Sequence, residues 1–266
     1  MNDHPEASKE GVVTSMKRNV LLSLTVAALA LLSVAAAKAF ETAQPVTATP
    51  ITSIPFVIST SGNYYLPANL TGTAAAGAAI TITASQVVLD LNGRTISDST
   101  PTNFAYGILV FNQVDVTIQN GDIDNYYIGV FFSPNSTDLN AKNTAKNLRL
   151  NNNGIGVMSL SGTSNLVKEC IIDGGDIGIM FNQDSGSRAE DNILENQKAS
   201  EEFSTGIALV SMGSLGTVFD NNVVEKGSNA LGMVQSGTDK YRFDSFVGFP
   251  TNSPHAGGTN EMADSL

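Results

Sequence analysis

A short pattern recurs six times along the chain and constrains its fold more than any other feature. Each copy is a glycine followed by large apolar residues in alternation, and successive copies lie 22 to 28 residues apart. Because strands this short are not stable alone, successive units must stack and pair each strand with its copy one unit further along. The pattern therefore predicts a solenoid of parallel strands about 4.8 Å apart. The glycines that mark the six copies, and that we expect to lie on one line, are Gly107, Gly129, Gly156, Gly178, Gly206 and Gly232.

The alternation also assigns side chains to the inside of the coil. A second short strand precedes each glycine-containing strand and in most copies runs into Asn, Asp or Gly, which tolerate left-handed backbone angles at tight turns. We expect Cys170 to be a buried packing thiol, and Asn192 and Asn222 to bond to turn backbone inside the coil. The apolar residues expected to point inward are Leu89, Leu91, Ile108, Val110, Val116, Ile118, Val130, Phe132, Leu148, Leu150, Ile172, Ile179, Phe181, Ile207 and Leu209.

Other repeat folds fit this sequence less well. A leucine-rich repeat needs a Leu-x-x-Leu-x-Leu frame that the units lack, and a helical array needs an apolar stripe at helical spacing that they do not show. A β-sandwich remains the alternative, although it does not easily explain why a glycine followed by alternating apolar residues recurs in six successive units.

The first part of the repeat region resembles a known family. The stretches that carry the resemblance are Pro55–Ile58, Ser61–Leu66, Ile80–Thr83 and Val87–Ile96. They are similar to the opening of bacterial right-handed parallel β-helix repeat proteins of the pectin-lyase-like superfamily, and the similarity extends over roughly residues 50–250. It implies an all-β, single-stranded right-handed parallel β-helix of about six to seven coils with an N-terminal cap. The superfamily includes lyases, hydrolases, epimerases and adhesins, so the resemblance leaves the activity open.

Residues 16–39 have the features of a secretory leader. Met16-Lys17-Arg18 is basic, an apolar run follows, and Ala37-Lys38-Ala39 is a small-x-small cleavage pattern. The acidic residues before Met16 favour it over Met1 as the start, and an uncleaved membrane anchor is the alternative. We therefore expect a secreted or periplasmic protein. Its parts would be a leader region at 1–39, an N-terminal cap region at 40–76, the β-helix at 77–240, and a C-terminal cap and flexible tail at 241–266.

Composition excludes several functions. The formal net charge of −11 makes nucleic acid and anionic membranes poor partners. With one cysteine, and with His4 and His255 as the two histidines, the fold has no disulfide framework, zinc cluster or histidine-centred triad. The acid and histidine motifs of polygalacturonase-like and epimerase-like members of the superfamily are also missing. A calcium-dependent lyase needs only carboxylates and an Arg or Lys base, so the sequence leaves that chemistry open.

The strongest candidate for such chemistry is a pair of carboxylates. Glu169 and Asp191 are expected on adjacent coils, where they would bind Ca²⁺ or raise the pKa of one of them. Arg149 would be the base or counter-ion. The alternative is a solvated surface on which Lys168 and Arg188 relieve the repulsion. The full outward column, which adds Asp115 as a further contact for a substrate or counter-ion, is expected to be Asp115, Asn147, Glu169, Asp191 and Asn221.

The same alternation predicts an apolar strip on the outside of the coil. Its six members would form a strip about 25 Å long, which a soluble monomer rarely leaves exposed. Residues 241–249, which are rich in Phe and Tyr, would cover it, or else a partner, a ligand or a second copy would do so. The strip is expected to consist of Leu109, Phe131, Met158, Met180, Ala208 and Val234.

Two functions are consistent with these features. The first is an exported, non-catalytic β-helix, without a cofactor, that binds a carbohydrate, a cell-surface component or a protein partner. The alternative is a polysaccharide-active enzyme, namely a Ca²⁺-dependent uronate lyase. The missing motifs, the absence of Trp and the short regular coils favour the first.

Overall fold

The structure is a computed structural model that describes residues 47–73, 77–100, 104–133, 141–199, 206–225, 227, 230–237, 239–242 and 244–247. Every regular element in these ranges is a β-strand, so the described part has no helix long and apolar enough to cross a bilayer. The leader at residues 16–39 and the tail from 248 lie outside the described residues. The strands are β1 Thr49–Pro50, β2 Phe56–Ile58, β3 Gly62–Tyr65, β4 Leu70–Gly72, β5 Ala78–Ile82, β6 Val87–Asp98, β7 Tyr106–Phe111, β8 Thr117–Asp124, β9 Ile128–Ser133, β10 Thr144–Asn151, β11 Ile155–Leu160, β12 Leu166–Lys168, β13 Ile171–Asp173, β14 Ile177–Asn182, β15 Arg188–Glu190, β16 Ile193–Glu195, β17 Gly206–Ser214, β18 Val218–Asp220, β19 Val223–Glu225, β20 Ala230–Gly237, β21 Lys240–Arg242 and β22 Ser245–Val247.

These strands form two long sheets in which neighbours are equivalent strands of successive coils. The 8-stranded sheet has the order β2-β5-β7-β9-β11-β14-β17-β20. The 14-stranded sheet follows β1-β3-β6-β8-β10-β12-β15-β18-β21, with β4, β13, β16, β19 and β22 paired alongside. All the pairs are parallel, as between β9 and β11 or β12 and β15. The predicted parallel β-solenoid is therefore confirmed, and the β-sandwich is excluded.

A single left-handed residue bends each coil of the 14-stranded sheet. Glu169, Asp191 and Asn221 have φ angles of 55°, 57° and 56°, and each ends one short strand before the next begins. Asn120 and Asn147 hold the same place in β8 and β10, with φ angles of 61° and 52°. Four of these five residues are Asn or Asp, the side chains that best tolerate this conformation. The predicted outward column is therefore the line of bends along the solenoid.

The glycine column is confirmed over four coils and then changes register. Gly107, Gly129, Gly156 and Gly178 are aligned, but the pairing of β14 with β17 puts Ala208 beside Gly178. The expectation for Gly206 is therefore wrong. Gly206 instead packs against the corner that precedes its own strand, where an added Cβ would lie 2.5 Å from the backbone nitrogen of Lys198. The column resumes at Gly232, which the pairing of β17 with β20 places beside Ala208.

The inside of the coil is filled by the predicted apolar residues, with one exception. All of those expected to point inward are at most 1% exposed except Ile207, which lies in a separate apolar cluster outside the 8-stranded sheet. The change of register at β17 moves Ile207 out and places Ala208 and Leu209 inside. Phe181 and Phe219 stack across the core with ring centroids 5.6 Å apart. Burial of such rings is the main favourable contribution to the folding free energy.

Polar side chains form ladders at the corners of the coil. In one, Asn192 Oδ1 accepts from the Cys170 backbone N–H at 3.0 Å, and Asn222 Oδ1 accepts from the Asn192 N–H at 3.1 Å. Both asparagines are fully buried and also donate to backbone carbonyls, which confirms their predicted structural role. Cys170 is 1% exposed and desolvation raises the pKa of its thiol to about 12, so it is a packing group as expected.

The described end segments continue the coil. Strands β2, β3 and β4 pair in parallel with β5 and β6 and form the first full coil of the described structure, and β1 pairs with β3 one coil earlier. At the other end β21 and β22 extend the 14-stranded sheet from β18 and β19. The expectation that residues 241–249 cover the apolar strip is therefore wrong for the part that is described. Phe246 packs against the core from this last coil.

Candidate functional site

The outer surface of the 8-stranded sheet carries three aligned columns of side chains without a charged residue. We call this surface the apolar face. It measures about 25 Å along the axis and about 17 Å across. Only part of it is open to solvent, because Ile128, Ile155, Ile177 and Val210 are buried at 2–3% exposure and their neighbours on the face pack around them half-buried. Its described columns are Tyr106, Ile128, Ile155, Ile177, Ile207 and Leu231; Leu109, Phe131, Met158, Met180, Val210 and Val234; and Phe111, Ser133, Leu160, Asn182 and Met212.

The predicted strip is the middle column of the apolar face, with one correction. Ala208 is 1% exposed and lies in the glycine column, and Val210 takes its place in the strip. The error has the same origin as that at Gly206, since β17 is shifted by two residues from the predicted alignment. The column before the glycines was missed. Its signal was a large apolar residue directly before five of the six glycines, as at Tyr106 and Ile128.

Two aromatic pairs lie at one end of the apolar face. The ring centroids of Tyr106 and Phe131 are 5.4 Å apart, and those of Phe104 and Tyr127 are 5.8 Å apart, both in tilted arrangements. Phe104 is 64% exposed and Phe111, on the same strand as Tyr106, is 43% exposed. Tyr126, the neighbour of Tyr127 in sequence, is buried in the core at 2% exposure. The rings available to a ligand come from two successive segments of chain, residues 104–111 and 127–131.

The carboxylate pair lies where it was predicted, but a lysine lies between its members. Lys168 Nζ is 3.6 Å from a carboxylate oxygen of Glu169 and 3.4 Å from one of Asp191. Asp191 also accepts a 2.7 Å hydrogen bond from the Asn221 side chain. That hydrogen bond, and then Lys168, lower the pKa of Asp191, and the two carboxylates raise the pKa of Lys168. The geometry is that of a solvated surface on which Lys168 relieves the repulsion between the two carboxylates.

The other two predicted site residues lie elsewhere. Arg149 is exposed, and its charge acts on the pKa values of Asp124 and Glu195. Asp115 does not belong to the column of bends, because the pairing of Thr117 with Thr144 aligns Asp115 with Lys142. Asn120 holds the position expected for Asp115. The structure therefore brings Glu169 and Asp191 together but adds neither Arg149 nor Asp115 to them.

The calcium hypothesis leads to a direct prediction. We expect millimolar Ca²⁺ to leave the melting temperature of the wild-type protein unchanged, because the Lys168 ammonium already occupies the position between the two carboxylates. In Lys168→Ala the two carboxylates lose that cation, so Ca²⁺ should then raise the melting temperature measurably. Thermal melts with and without Ca²⁺ check this, with Lys146→Ala, one coil earlier in the same column, as the control. A clear shift in the wild type would instead restore the calcium site.

The remaining acidic groups of the described residues do not form a metal centre. In the described ranges no three His, Cys, Asp or Glu side chains are grouped so that they could hold a metal ion. Asp184 is 1% exposed inside the coil, where it accepts from the Gly162 N–H at 2.8 Å and from the Ser187 hydroxyl at 2.7 Å. Burial raises its pKa despite these bonds. Its hydrogen bonds join neighbouring coils, so its role is structural.

Comparison with known proteins agrees with this architecture. The family model for the right-handed β-helix region matches residues 78–245. The chain belongs to the right-handed β-helix family. Among solved structures, an alginate lyase from Paenibacillus sp. str. FPU-7 is similar over 84% of this chain and 95% of its own, with 13% identity and a TM-score of 0.48. No curated protein matches the chain.

Membership of the right-handed β-helix family confirms the resemblance found in the sequence. It establishes the handedness of the coil, which the repeat pattern alone did not fix. It does not assign an activity. The function has to be argued from the surfaces of this particular β-helix.

Proposed function

We propose that the chain is an exported, non-catalytic β-helix that binds a neutral polysaccharide along its apolar face. The observation that carries the proposal is the absence of any charged side chain from the three described columns of that face, in a chain whose net charge is −11. An uncharged face with exposed apolar side chains, here Phe111 at 43% and Met212 at 48%, is typical of a binding surface. Export rests on the predicted leader at residues 16–39.

Both charge and ring chemistry favour a neutral sugar chain. A polyuronate is a polyanion and would be repelled by the net negative charge of the protein. A neutral polysaccharide is not repelled by this charge. The two aromatic pairs, Phe104 with Tyr127 and Tyr106 with Phe131, offer ring surfaces against which the apolar faces of sugar rings can pack. The columns beyond them give an extended chain a straight surface along the solenoid axis.

The charged groups support a non-catalytic role. A lyase or glycosidase needs a base whose pKa is tuned for proton transfer, or a pair of acids free to act. On the described surface, Glu169 and Asp191 share an ion pair with Lys168 and are not free to act. Arg149 lies among the acidic groups Asp124 and Glu195. The geometry thus favours the binding hypothesis over the uronate lyase.

Affinity gel electrophoresis tests the proposal. We expect neutral glucans and mannans cast in the gel to retard the wild-type protein, and pectate and alginate to have no effect. The double variant Phe104→Ala with Phe131→Ala should bind roughly thirty times more weakly, because each ring contributes about 1 kcal/mol. Ile193→Ala, an exposed apolar residue on the 14-stranded sheet, is the matched control and should bind normally.

Two results would contradict the proposal. The first is unsaturated product at ultraviolet wavelengths when the protein is incubated with pectate or alginate, which would establish a lyase. The second is equal retardation of the wild type and the double variant. Sedimentation of the free protein tests whether a second copy of the chain occupies the apolar face. Self-association that the double variant abolishes would assign the face to that second copy.

A further inference from the structure

The last rung of the buried asparagine ladder is a carboxylic acid. Asn192 Nδ2 donates to the Val167 carbonyl at 3.1 Å, and Asn222 Nδ2 donates to the Ala189 carbonyl at 3.0 Å. Each rung thus ties its coil to the coil before it. The next rung is Asp244, whose Oδ1 accepts from the Asn222 backbone N–H at 2.7 Å and from Asn222 Nδ2 at 2.8 Å.

In this ladder the second carboxylate oxygen of Asp244, Oδ2, corresponds to the amide nitrogen of Asn192 and Asn222, which donates a hydrogen bond. In the two preceding rungs the amide nitrogen bonds to the carbonyl three residues before the equivalent residue of the previous coil, which is Cys170 for Asn192 and Asn192 for Asn222. The matching carbonyl for Asp244 is that of Phe219, since Ala189 pairs with Phe219. Asp244 Oδ2 is buried and has no hydrogen-bond partner in the described structure. An ionised oxygen cannot donate to a carbonyl, whereas a protonated one can.

We propose that Asp244 is a proton-controlled rung, which holds the last coil of the solenoid closed when it is protonated and loosens that coil when it ionises. The last coil comprises β20, β21 and β22. Its release would expose the edges of β17, β18 and β19, which it pairs and covers.

The surroundings of Asp244 favour the protonated form. Desolvation, together with the like charge of Asp220 on β18, raises its pKa from 3.8 to about 6, and the bonds from Asn222 lower it only in part. Two other charged side chains described on the adjoining strands, Glu225 on β19 and Lys240 on β21, are exposed. Asp239 is buried in the same coil but bonds to Ser211 and Thr217.

The sign of the effect follows from linkage. Because the pKa is higher in the closed coil than in the open one, protonation stabilises the closed coil. This contribution is complete below pH 3.8 and is lost as the pH rises through about 6. Between pH 5 and pH 7.5 the opening equilibrium of the last coil should therefore increase roughly tenfold.

Hydrogen exchange read by mass spectrometry tests this on the full chain. After correction for intrinsic exchange rates, peptides that cover residues 239–247 should lose about tenfold in protection between pH 5 and pH 7.5. In Asp244→Asn the amide supplies the missing donor, so the protection should become independent of pH and exceed that of the wild type at pH 7.5. Glu225→Gln, an exposed carboxylate on β19, should keep the wild-type dependence.

Two outcomes would overturn the proposal: protection of residues 239–247 that does not vary with pH in the wild type, or the same variation in Asp244→Asn. Should that variant fail to fold, carboxyl NMR titration of the wild type decides, because an Asp244 pKa at or below 3.8 excludes the protonated rung.

Discussion

Replacing Gly156 with valine is expected to lower the free energy of unfolding by about 3 kcal/mol or more, since overpacking a rigid interior costs this much. A Cβ at Gly156 would lie 2.6 Å from the carbonyl oxygen of Gly178 on the next coil and 2.7 Å from Ile172 Cγ2 in the core. The first atom is backbone, which cannot move without breaking the pairing of β11 with β14. For a chain of this size the melting temperature should fall by roughly 6–12 °C, measured by thermal unfolding.

The chain contains its own control for this prediction. The equivalent place one coil beyond Gly178 holds Ala208, and the residue in the place of Leu194 is Val224. A Cβ at Gly178 would lie 2.4 Å from Leu194 Cδ2 and 2.5 Å from the Ala208 oxygen. We therefore expect Leu194→Val to restore part of the stability lost in Gly178→Ala, whereas Ala208→Gly should cost about 1 kcal/mol. If Gly156→Val melted like the wild type, the glycine column would have no steric role.

The fold could be predicted because the repeat constrains it at several places in each coil. The alternation at Leu148 and Leu150, or at Val130 and Phe132, gave the buried positions directly, since neighbouring coils repeat it. What failed was the alignment at β17. The glycine at 206 resembles its predecessors in sequence, but it serves a close approach to Lys198. Position 206 holds a glycine because of that close approach, whereas the position in the glycine column, two residues later, holds Ala208. The sequence alone does not show which of the two positions continues the column.

The candidate site was less predictable because it depends on relations between coils. Lys168 was recognised as a neighbour of Glu169 and Asp191, but only the structure places its Nζ within 4 Å of both. The pairing of Phe104 with Tyr127 depends on a loop returning to the apolar face, which alternation cannot describe. Asp244 reads as an ordinary turn residue, and its role follows only from the ladder of Asn192 and Asn222.

The second large effect is expected from that ladder. Replacing Asn222 with leucine should lower the free energy of unfolding by about 3–5 kcal/mol, because it leaves several buried polar groups unpaired at 1–3 kcal/mol each. The Asn192 backbone N–H and Nδ2 would lose their shared acceptor, and the Ala189 carbonyl and Asp244 would each lose the side-chain donor. The backbone N–H of residue 222 would still donate to Asp244. Apolar residues are not excluded from this column as such, since Cys170 occupies it one coil before Asn192. Cys170→Ala, which removes no strong hydrogen bond, is therefore the control, and we expect it to cost about 1 kcal/mol by lost packing. Chemical unfolding of both variants separates the two contributions. Equal losses would mean that the column is held by packing, and that the hydrogen bonds between successive coils add little to the cohesion of this β-helix.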